Sequence, residues 1–314
     1  MLDKNYKITR KGGLYINTPI ENSDIYINLK KEKTTSFLNR DLLMSNIEPK
    51  KYSILIAKEG YWPWAKTIEV KPGMVIEARA IMVKENPQGE FILKGKFSRI
   101  WSSPSEKIIA LKEEKNGVFD LLFYLPENNV FLTPLNSSSK YLLSFKKEIS
   151  GVSFENGSVS FKTEKGNIKA DFDFSKNSVS ATQTDVLPEK SDYEKTARRG
   201  QEKISWNPET NEVFVEWLEK NSTPPQYICE EKCESPIKIF KSFLKLRNAD
   251  FFPGRPDVAT IAVGNGIYAL EIDGRGGRLI YPLYKGKEPD FALLGSEKNV
   301  YIIDDGSLIK ISLE

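Results

Sequence analysis

The chain contains many short runs in which β-branched or aromatic residues alternate with polar ones. Clear examples are residues 25–27, 53–56, 213–215 and 300–303. A period of two places successive side chains on opposite faces of a strand, so these runs predict half-buried strands. Residues 190–202 have a helical pattern, but they are mostly charged, and we expect a solvated loop or a single helical turn there. The pattern therefore predicts an all-β fold.

Turn residues and changes in the pattern of apolar and polar residues divide the chain into two predicted domains. We predict a small β-sandwich in residues 1–84, a short polar linker at 85–90 and a second all-β domain in 91–314. The predicted strands of the sandwich are 14–17, 25–28, 53–57, 66–70 and 75–82, with a polar loop between residues 28 and 47.

Three segments of the first domain resemble the PEGA domain, a small β-module of surface proteins. Residues 19–27 combine a proline, an acidic turn and a hydrophobic strand; 48–52 form a Pro-containing turn before a tyrosine; 58–61 end in Gly-Tyr. Asn22-Ser23 replaces the Gly-Ala of the family, and Lys50 stands where Gly is common. The resemblance implies an extracytoplasmic location, at the cell surface or in a periplasm-like space, with the native protein tethered by a membrane helix that precedes this chain.

The second domain repeats a simple unit, in which a large apolar residue is followed by a turn and an apolar strand. The five anchors recur at intervals of 42 to 53 residues: Trp101, Phe154, Trp206, Phe252 and Leu294. A propeller blade of four strands needs about this length, so we predict about five blades. Residues 91–94 are expected to supply the fourth strand of the last blade and so to close the ring. The repeats resemble those of TolB-like and WD-like propellers.

Composition excludes several classes of function. The 314 residues include no His, which rules out Ser-His-Asp or Cys-His catalysis and His-ligated zinc. Lys and Arg total 46 against 43 Asp and Glu, a net charge of +3, which gives no reason to expect nucleic-acid binding. No window of 18 apolar residues and no signal-peptide pattern is present in the sequence. We expect contact with a membrane only through the preceding helix.

The two cysteines, Cys229 and Cys233, lie four positions apart after a Pro-Pro pair. A zinc site would lack ligands, because there is no third cysteine and no histidine. A small disulfide in an oxidising compartment is the favoured interpretation, and free thiols are the alternative. We expect no metal and no cofactor.

Two glycine-containing motifs have both a functional and a structural interpretation. Residues 274–277, Gly-Arg-Gly-Gly, suggest a phosphate loop, but no Lys-Ser/Thr follows and the flanks predict strands. Residues 304–307, Asp-Asp-Gly-Ser, resemble part of a calcium loop whose other ligands are missing. We predict hairpin turns for both.

Different residues are candidates for binding and for catalysis. Tyr61, Trp62 and Trp64 form an aromatic group suited to stacking on a sugar or a partner side chain; the alternative is that Tyr61 belongs to the core and both tryptophans pack against the propeller. The carboxylates considered for the propeller channel are Asp171, Glu216, Asp250 and Asp290.

These observations predict a non-enzymatic binding or scaffolding protein of the cell envelope, with no catalytic residues. The propeller would bind a protein or a cell-wall glycan. The alternative is a propeller-type glycan hydrolase that uses paired carboxylates. A third possibility is a soluble periplasmic partner of an envelope complex, as TolB-like proteins are.

Overall fold

The structure is a computed structural model. It describes residues 10–103, 108–135, 144–146, 149–155, 157–164, 166–185, 193–196, 200–229, 234–295 and 298–313. These residues form strands, turns and irregular connections, and none of them belongs to an α-helix, which confirms the all-β prediction. Within the same ranges, no helix has the length and apolarity needed to cross a membrane.

Contacts along the backbone separate the chain into two compact units. The first contains residues 1–86 together with the later segments 221–234 and 269–283. The second contains residues 87–220, 235–268 and 284–314. The domain limits proposed from the sequence remain a prediction, because they rest on changes in residue pattern and not on contacts in the structure.

The first unit contains a two-sheet β-sandwich. Its strands are β1 (Gly12–Asn17), β2 (Asp24–Ile27), β3 (Lys30–Thr34), β4 (Asp41–Ile47), β5 (Lys51–Ala57), β6 (Trp64–Glu69) and β7 (Val75–Arg79). One sheet has the order β3-β2-β5-β6 and the other the order β4-β1-β7. The first strand pairs antiparallel with β4 and parallel with β7.

Burial follows the alternation of the sequence in the central strands. In β5, Tyr52, Ile54 and Ile56 are buried and their neighbours face outward. Strands β3 and β4 occupy the stretch predicted to be a polar loop, and that part of the prediction was wrong. Both lie at sheet edges and are largely exposed, so they carry no buried stripe that could produce alternation.

The remaining strands form four-stranded groups. The first two groups are β9 (Phe97–Ser103), β10 (Ile108–Lys115), β11 (Val118–Leu125) and β12 (Val130–Pro134), then β14 (Ser150–Glu155), β15 (Ser158–Thr163), β16 (Gly166–Asp173) and β17 (Ser178–Thr184). They are joined by a two-residue parallel pairing of β12 with β17, and the short β13 (Ser144–Phe145) pairs with β11.

Three further four-stranded sheets follow in the same domain. They are β18 (Glu194–Thr196), β19 (Glu202–Asn207), β20 (Glu212–Trp217) and β21 (Ile237–Lys241); β22 (Leu246–Phe252), β23 (Arg255–Val263), β24 (Gly266–Glu271) and β25 (Ile280–Lys285); and β26 (Asp290–Leu293), β27 (Asn299–Asp304), β28 (Ser307–Ser312) and β8 (Gly89–Lys94).

Both faces of the β9–β12 sheet are buried, as a propeller blade requires. Ile108 and Ala110 of β10 pack into a cluster with residues of the β14–β17 sheet. Ile109 and Leu111, which point to the opposite face, pack with residues of the β26–β8 sheet. Each such sheet needs a neighbour on either side to cover its apolar surface.

The centre of the propeller is formed where the first strand of each four-stranded sheet contacts the first strand of another. Strand β9 contacts β14 and β26, and β22 contacts β26 and β18. The last sheet is completed by β8, which pairs antiparallel with β28 and contains residues 91–94. The structure thus confirms a propeller of five four-stranded sheets and the predicted closure by the N-terminal strand.

The described part of the charged segment 190–202 includes a short strand at a position where the sequence predicts a loop or a helical turn. Residues 186–192 and 197–199 lie outside the described residues, but Glu194–Thr196 forms β18 and pairs with β19. Its pairing partner overrides the weak helical pattern, because backbone groups at a sheet edge gain hydrogen bonds from a neighbouring strand. As a result the anchor Trp206 lies in the second strand of its sheet.

Replacing Phe123 with Ala tests the packing between neighbouring blades. Phe123 is fully buried and contacts the ring of Phe172 edge-on, with 5.2 Å between centroids. We expect Phe123→Ala to lower the free energy of unfolding by about 3–5 kcal/mol in urea titrations. Phe174→Ala, at a position 41% exposed, is the control and should cost less than about 1 kcal/mol. Equal losses in the two variants would contradict the assigned packing.

Candidate functional site

The aromatic group at residues 61–64 is divided between surface and interior. The side chain of Trp62 is 38% exposed, whereas Trp64 is only 1% exposed. Tyr61 is half-buried, with the Lys58 ammonium 5.2 Å from its ring centroid. Within this group, only Trp62 offers a large part of an indole to solvent. The binding role of the group remains a prediction, now centred on Trp62.

Trp64 takes part in a buried polar cluster. Its Nε1–H donates to Glu271 Oε1 at 2.5 Å, and Lys66 Nζ lies 2.8 Å from Glu271 Oε2. The side chains of Lys66 and Glu271 are 1% and 3% exposed, and Lys66 also donates to the carbonyl of Asp273 at 3.0 Å. Burial raises the pKa of the Glu271 carboxyl, while Lys66 and Trp64 oppose that rise. The cluster is thus a compensated, solvent-excluded ion pair.

The Gly-Arg-Gly-Gly segment forms a turn that packs against β6. Gly277 N–H donates to the Gly274 carbonyl, and Gly276 has a φ of 67°. A Cβ at Gly276 would lie 2.5 Å from the Thr67 carbonyl oxygen, so no larger residue fits there. The guanidinium of Arg275 is held by Asp273 and the Glu77 carbonyl. The predicted turn is confirmed, and its arginine is engaged by protein groups.

The Asp-Asp-Gly-Ser segment is the predicted hairpin turn between β27 and β28. Asp305 and Gly306 have φ values of 45° and 72°, as a two-residue turn of this hand requires. Asp304 is buried and accepts hydrogen bonds from the Lys287 and Glu288 backbone amides. Its oxygens therefore serve the protein backbone. No group of three or more potential ligands occurs in the described part of the chain.

A small polar pocket lies near the centre of the propeller. Strands β9, β18, β19, β22 and β26 line it, and its free volume is about 20 Å³. A space of this size holds about one water molecule. Its charged lining residues are Arg99, Lys195, Arg247, Asp250 and Asp290.

Two of the four candidate carboxylates line this pocket. Asp290 is 6% exposed and accepts hydrogen bonds from Asn248 Nδ2 at 2.9 Å and from the Phe291 amide at 2.8 Å. Burial raises its pKa, and Arg99 is the strongest opposing influence. Asp250 accepts from the Phe251 amide at 2.7 Å, and burial raises its pKa to about 6 against the charge of Lys195.

The other two carboxylates do not line the pocket. Glu216 lies on β20, and its Oε2 is 3.0 Å from the Nζ of Lys203 on β19. Asp171 occupies an exposed position of β16 near Lys169. Both form ion pairs on partly or largely exposed surface, where such pairs contribute little to stability.

Sequence reasoning missed the cations of the pocket. Arg247 donates to the carbonyls of Pro289 at 2.8 Å and Gly264 at 2.6 Å, and burial lowers its pKa. The Arg99 guanidinium lies 5.7 Å from the Trp101 ring centroid. A signal for Arg99 existed: it stands two positions before the blade anchor Trp101, where period-two geometry directs it to the anchor's face of the strand.

Only one of the two cysteines of the predicted disulfide, Cys229, lies among the described residues. The sulfur of Cys229 is disulfide-bonded. Cys233 lies outside the described residues, so the pairing of Cys229 with Cys233 stays a prediction.

Fold and site together define an all-β protein with a PEGA-like sandwich and a five-bladed propeller with a charged central pocket. Residues 11–86 match the family model of the PEGA domain, about a quarter of the chain. PEGA domains are typical of extracellular and surface proteins, so the match is consistent with an extracytoplasmic location.

Several solved structures are similar to the chain at a low level. A luciferin-regenerating enzyme is 7% identical, with a TM-score of 0.40, over 72% of this chain and 95% of that one. The propeller domain of Cps50 (Swd1) from Myceliophteria thermophila is 10% identical, with a TM-score of 0.30, over 83% and 79% of the two chains. Hsv2 from Kluyveromyces lactis is 8% identical, with a TM-score of 0.28, over 81% and 67%. Such scores carry no argument about function. No curated protein matches the chain.

Replacing Lys66 tests the buried ion pair. Lys66→Met leaves the Glu271 carboxylate buried without its counter-ion, so we expect a loss of about 3–5 kcal/mol in the free energy of unfolding. Adding Glu271→Gln should recover part of this loss, because the amide oxygen still accepts from Trp64. The control is Lys30→Met, which breaks an exposed pair with Glu32 and should cost less than about 1 kcal/mol. An equal, small effect at both lysines would contradict the analysis.

Asp250→Asn tests the elevated pKa in the pocket. Burial raises the pKa of Asp250 from its ordinary value of 3.8 to about 6, so Asp250 holds its proton more firmly in the folded state, and its ionisation destabilises the fold as the pH rises from 4 to 6. We expect Asp250→Asn to raise unfolding stability by roughly 1–3 kcal/mol at pH 8 and to change it little at pH 4. The measurement is urea unfolding at both pH values.

The matched control removes the same charge from the surface. Asp171→Asn, on the exposed face of β16, should change stability by less than about 0.5 kcal/mol at either pH. A gain for Asp250→Asn that is equal at pH 4 and pH 8 would show that ionisation is not its cause.

Proposed function

We propose that this protein is a non-enzymatic, extracytoplasmic binding or scaffolding protein of the cell envelope. In this proposal the native protein is tethered by a membrane helix that precedes the chain. The sandwich domain acts as a spacer near the membrane or wall, and the propeller binds a protein or a cell-wall glycan. No nucleic acid and no cofactor takes part.

The PEGA match supports the location in this proposal. It covers residues 11–86, and the family is typical of surface proteins. A disulfide at Cys229 agrees with an oxidising compartment.

The observation that carries the non-enzymatic part is the size of the central pocket. Its free volume of about 20 Å³ leaves no room for a sugar ring between Asp250 and Asp290. A glycosidase needs two carboxyl groups on either side of a scissile bond, with space for the sugar between them. Hydrogen bonds from Asn248 and from backbone amides already occupy oxygens of both carboxylates. These features favour a rigid propeller centre over a catalytic cleft.

Trp62 is the candidate contact residue for a glycan or a partner side chain. Its indole is 38% exposed and its backbone amide is fixed by the Val83 carbonyl at 2.9 Å. An aromatic side chain on a fixed backbone loses little conformational entropy when it stacks on a ligand.

A glycan hydrolase is the second candidate, and one observation favours it. Asp250 has a pKa raised to about 6 and shares a pocket with Asp290. A carboxyl group with an elevated pKa beside a second carboxylate is the arrangement that supplies a general acid in glycoside hydrolysis.

One experiment separates the two candidates. The protein is incubated with purified insoluble cell-wall glycan, and both co-sedimentation and the release of reducing ends are measured. We expect co-sedimentation without release, and we expect Trp62→Ala to weaken retention about tenfold, because stacking on an exposed indole is lost. The control is Phe174→Ala, which removes another exposed aromatic ring.

Two other results would contradict binding of a glycan without its hydrolysis. Release of reducing ends that Asp250→Asn or Asp290→Asn abolishes would establish the hydrolase. Retention only on envelope fragments that carry protein, lost after protease treatment, would identify a protein partner in place of the glycan.

A further inference from the structure

A second, larger cleft of the propeller lies where the beginning of β9 meets two hairpin turns. Its free volume is about 350 Å³, within the range of roughly 300–1,000 Å³ that small-molecule sites occupy. The cleft is lined by Lys96, Phe97, Ser98, Glu114, Asn116 and Gly306. Asn116 belongs to the turn between β10 and β11, and Gly306 to the turn between β27 and β28. The first and the last sheet of the propeller therefore form this cleft together.

Two glycines keep side chains out of one wall of the cleft. The Gly95 amide donates to the Gly306 carbonyl at 2.7 Å, and Gly306 has a φ of 72°. A Cβ at Gly306 would lie 2.6 Å from the Gly95 carbonyl oxygen, so no larger residue fits there. The Phe97 ring lies directly against Gly95, because a Cβ at Gly95 would be 2.6 Å from Phe97 Cζ. The close approach of the two backbones thus leaves the cleft open beside a fixed aromatic ring.

The polar side chains of the cleft are available to a ligand. Lys96, Ser98, Glu114 and Asn116 are exposed, and within the described part of the chain their side chains form no hydrogen bond or ion pair. The ammonium group supplies donors, the carboxylate supplies acceptors, and the hydroxyl and amide groups supply both. The strands that carry them are held together, since the Glu114 amide donates to the Lys96 carbonyl at 2.9 Å.

This combination of groups favours a neutral sugar. The lining has one positive and one negative charge, so it gives no preference to an anion or a cation. Each hydroxyl group of a pyranose is both a donor and an acceptor, which matches a lining that offers both. The C–H face of a pyranose is apolar and can stack on the ring of Phe97, which packs against the core between the first and the last sheet. A ring held by such packing loses little conformational entropy on binding.

We propose that this cleft binds one neutral pyranose unit of a glycan, with Phe97 as the stacking surface and with Glu114 and Asn116 as hydrogen-bonding groups. The inference rests on the proposed function and deepens it, because it gives the propeller a defined site and names the class of its ligand.

Calorimetric titration of the whole chain with three neutral trisaccharides, chitotriose, cellotriose and maltotriose, tests the proposal. We expect at least one of them to bind. Glu114→Ala should weaken this binding about tenfold, because hydrogen bonds from sugar hydroxyls to a carboxylate are lost. The matched control is Glu209→Ala, which removes an exposed carboxylate from the turn between β19 and β20 and should leave the affinity unchanged.

Two further variants test the ring and the amide separately. Phe97→Leu keeps an apolar side chain against the core but removes the flat ring, and we expect binding to weaken about tenfold. Asn116→Gly removes the amide at a φ of 52°, which glycine adopts without strain, and we expect several-fold weaker binding. Urea unfolding of each variant shows whether the fold is retained.

Failure of all three trisaccharides to bind would overturn the proposal, and so would binding that Glu114→Ala and Phe97→Leu leave unchanged. In either case, co-sedimentation with cell-wall glycan that Trp62→Ala weakens would still support the proposed function, so the two failures are distinguishable. Loss of a protein partner in the same variants, without any trisaccharide binding, would assign the cleft to a polypeptide and contradict the choice of a sugar.

Discussion

The structure of the propeller depends on one constraint: each of its small sheets has two apolar faces and cannot bury either one alone. In the β9–β12 sheet, alternate residues of the same strand pack into two different cores, one on each side. Sheets of this kind are stable only with a neighbour on both sides, and a ring satisfies that condition without leaving an end. The pairing of β8 with β28 completes the last sheet from the opposite end of the chain.

The same constraint produces the central pocket. A ring of sheets brings the first strand of each blade close to a common axis, where side chains from distant parts of the sequence meet. Arg99, Arg247 and Asp290 are separated by more than forty positions from one another in sequence, and they line one cavity. Charges placed there lose much of their hydration, which is why the pKa of Asp250 rises and that of Arg247 falls.

The two units bury charge in different ways. In the first, Lys66 and Glu271 form a direct ion pair whose remaining hydrogen-bonding capacity is met by Trp64 and by backbone groups. In the second, Arg247 and Asp290 are stabilised mainly by carbonyls, an amide side chain and backbone N–H groups.

The sequence by itself determined the fold class, the PEGA-like sandwich, the number of blades and the closing strand, because alternation and repeat spacing are local properties of the chain. It did not reveal β3 and β4, whose exposed edges produce no alternation, or β18, whose pairing overrides a helical pattern. Of the four candidate carboxylates, only the tertiary structure separated Asp250 and Asp290 from Glu216 and Asp171. A sequence shows that a residue is acidic, but its burial and its charged neighbours depend on which strands meet at the centre, and these strands are far apart in the chain.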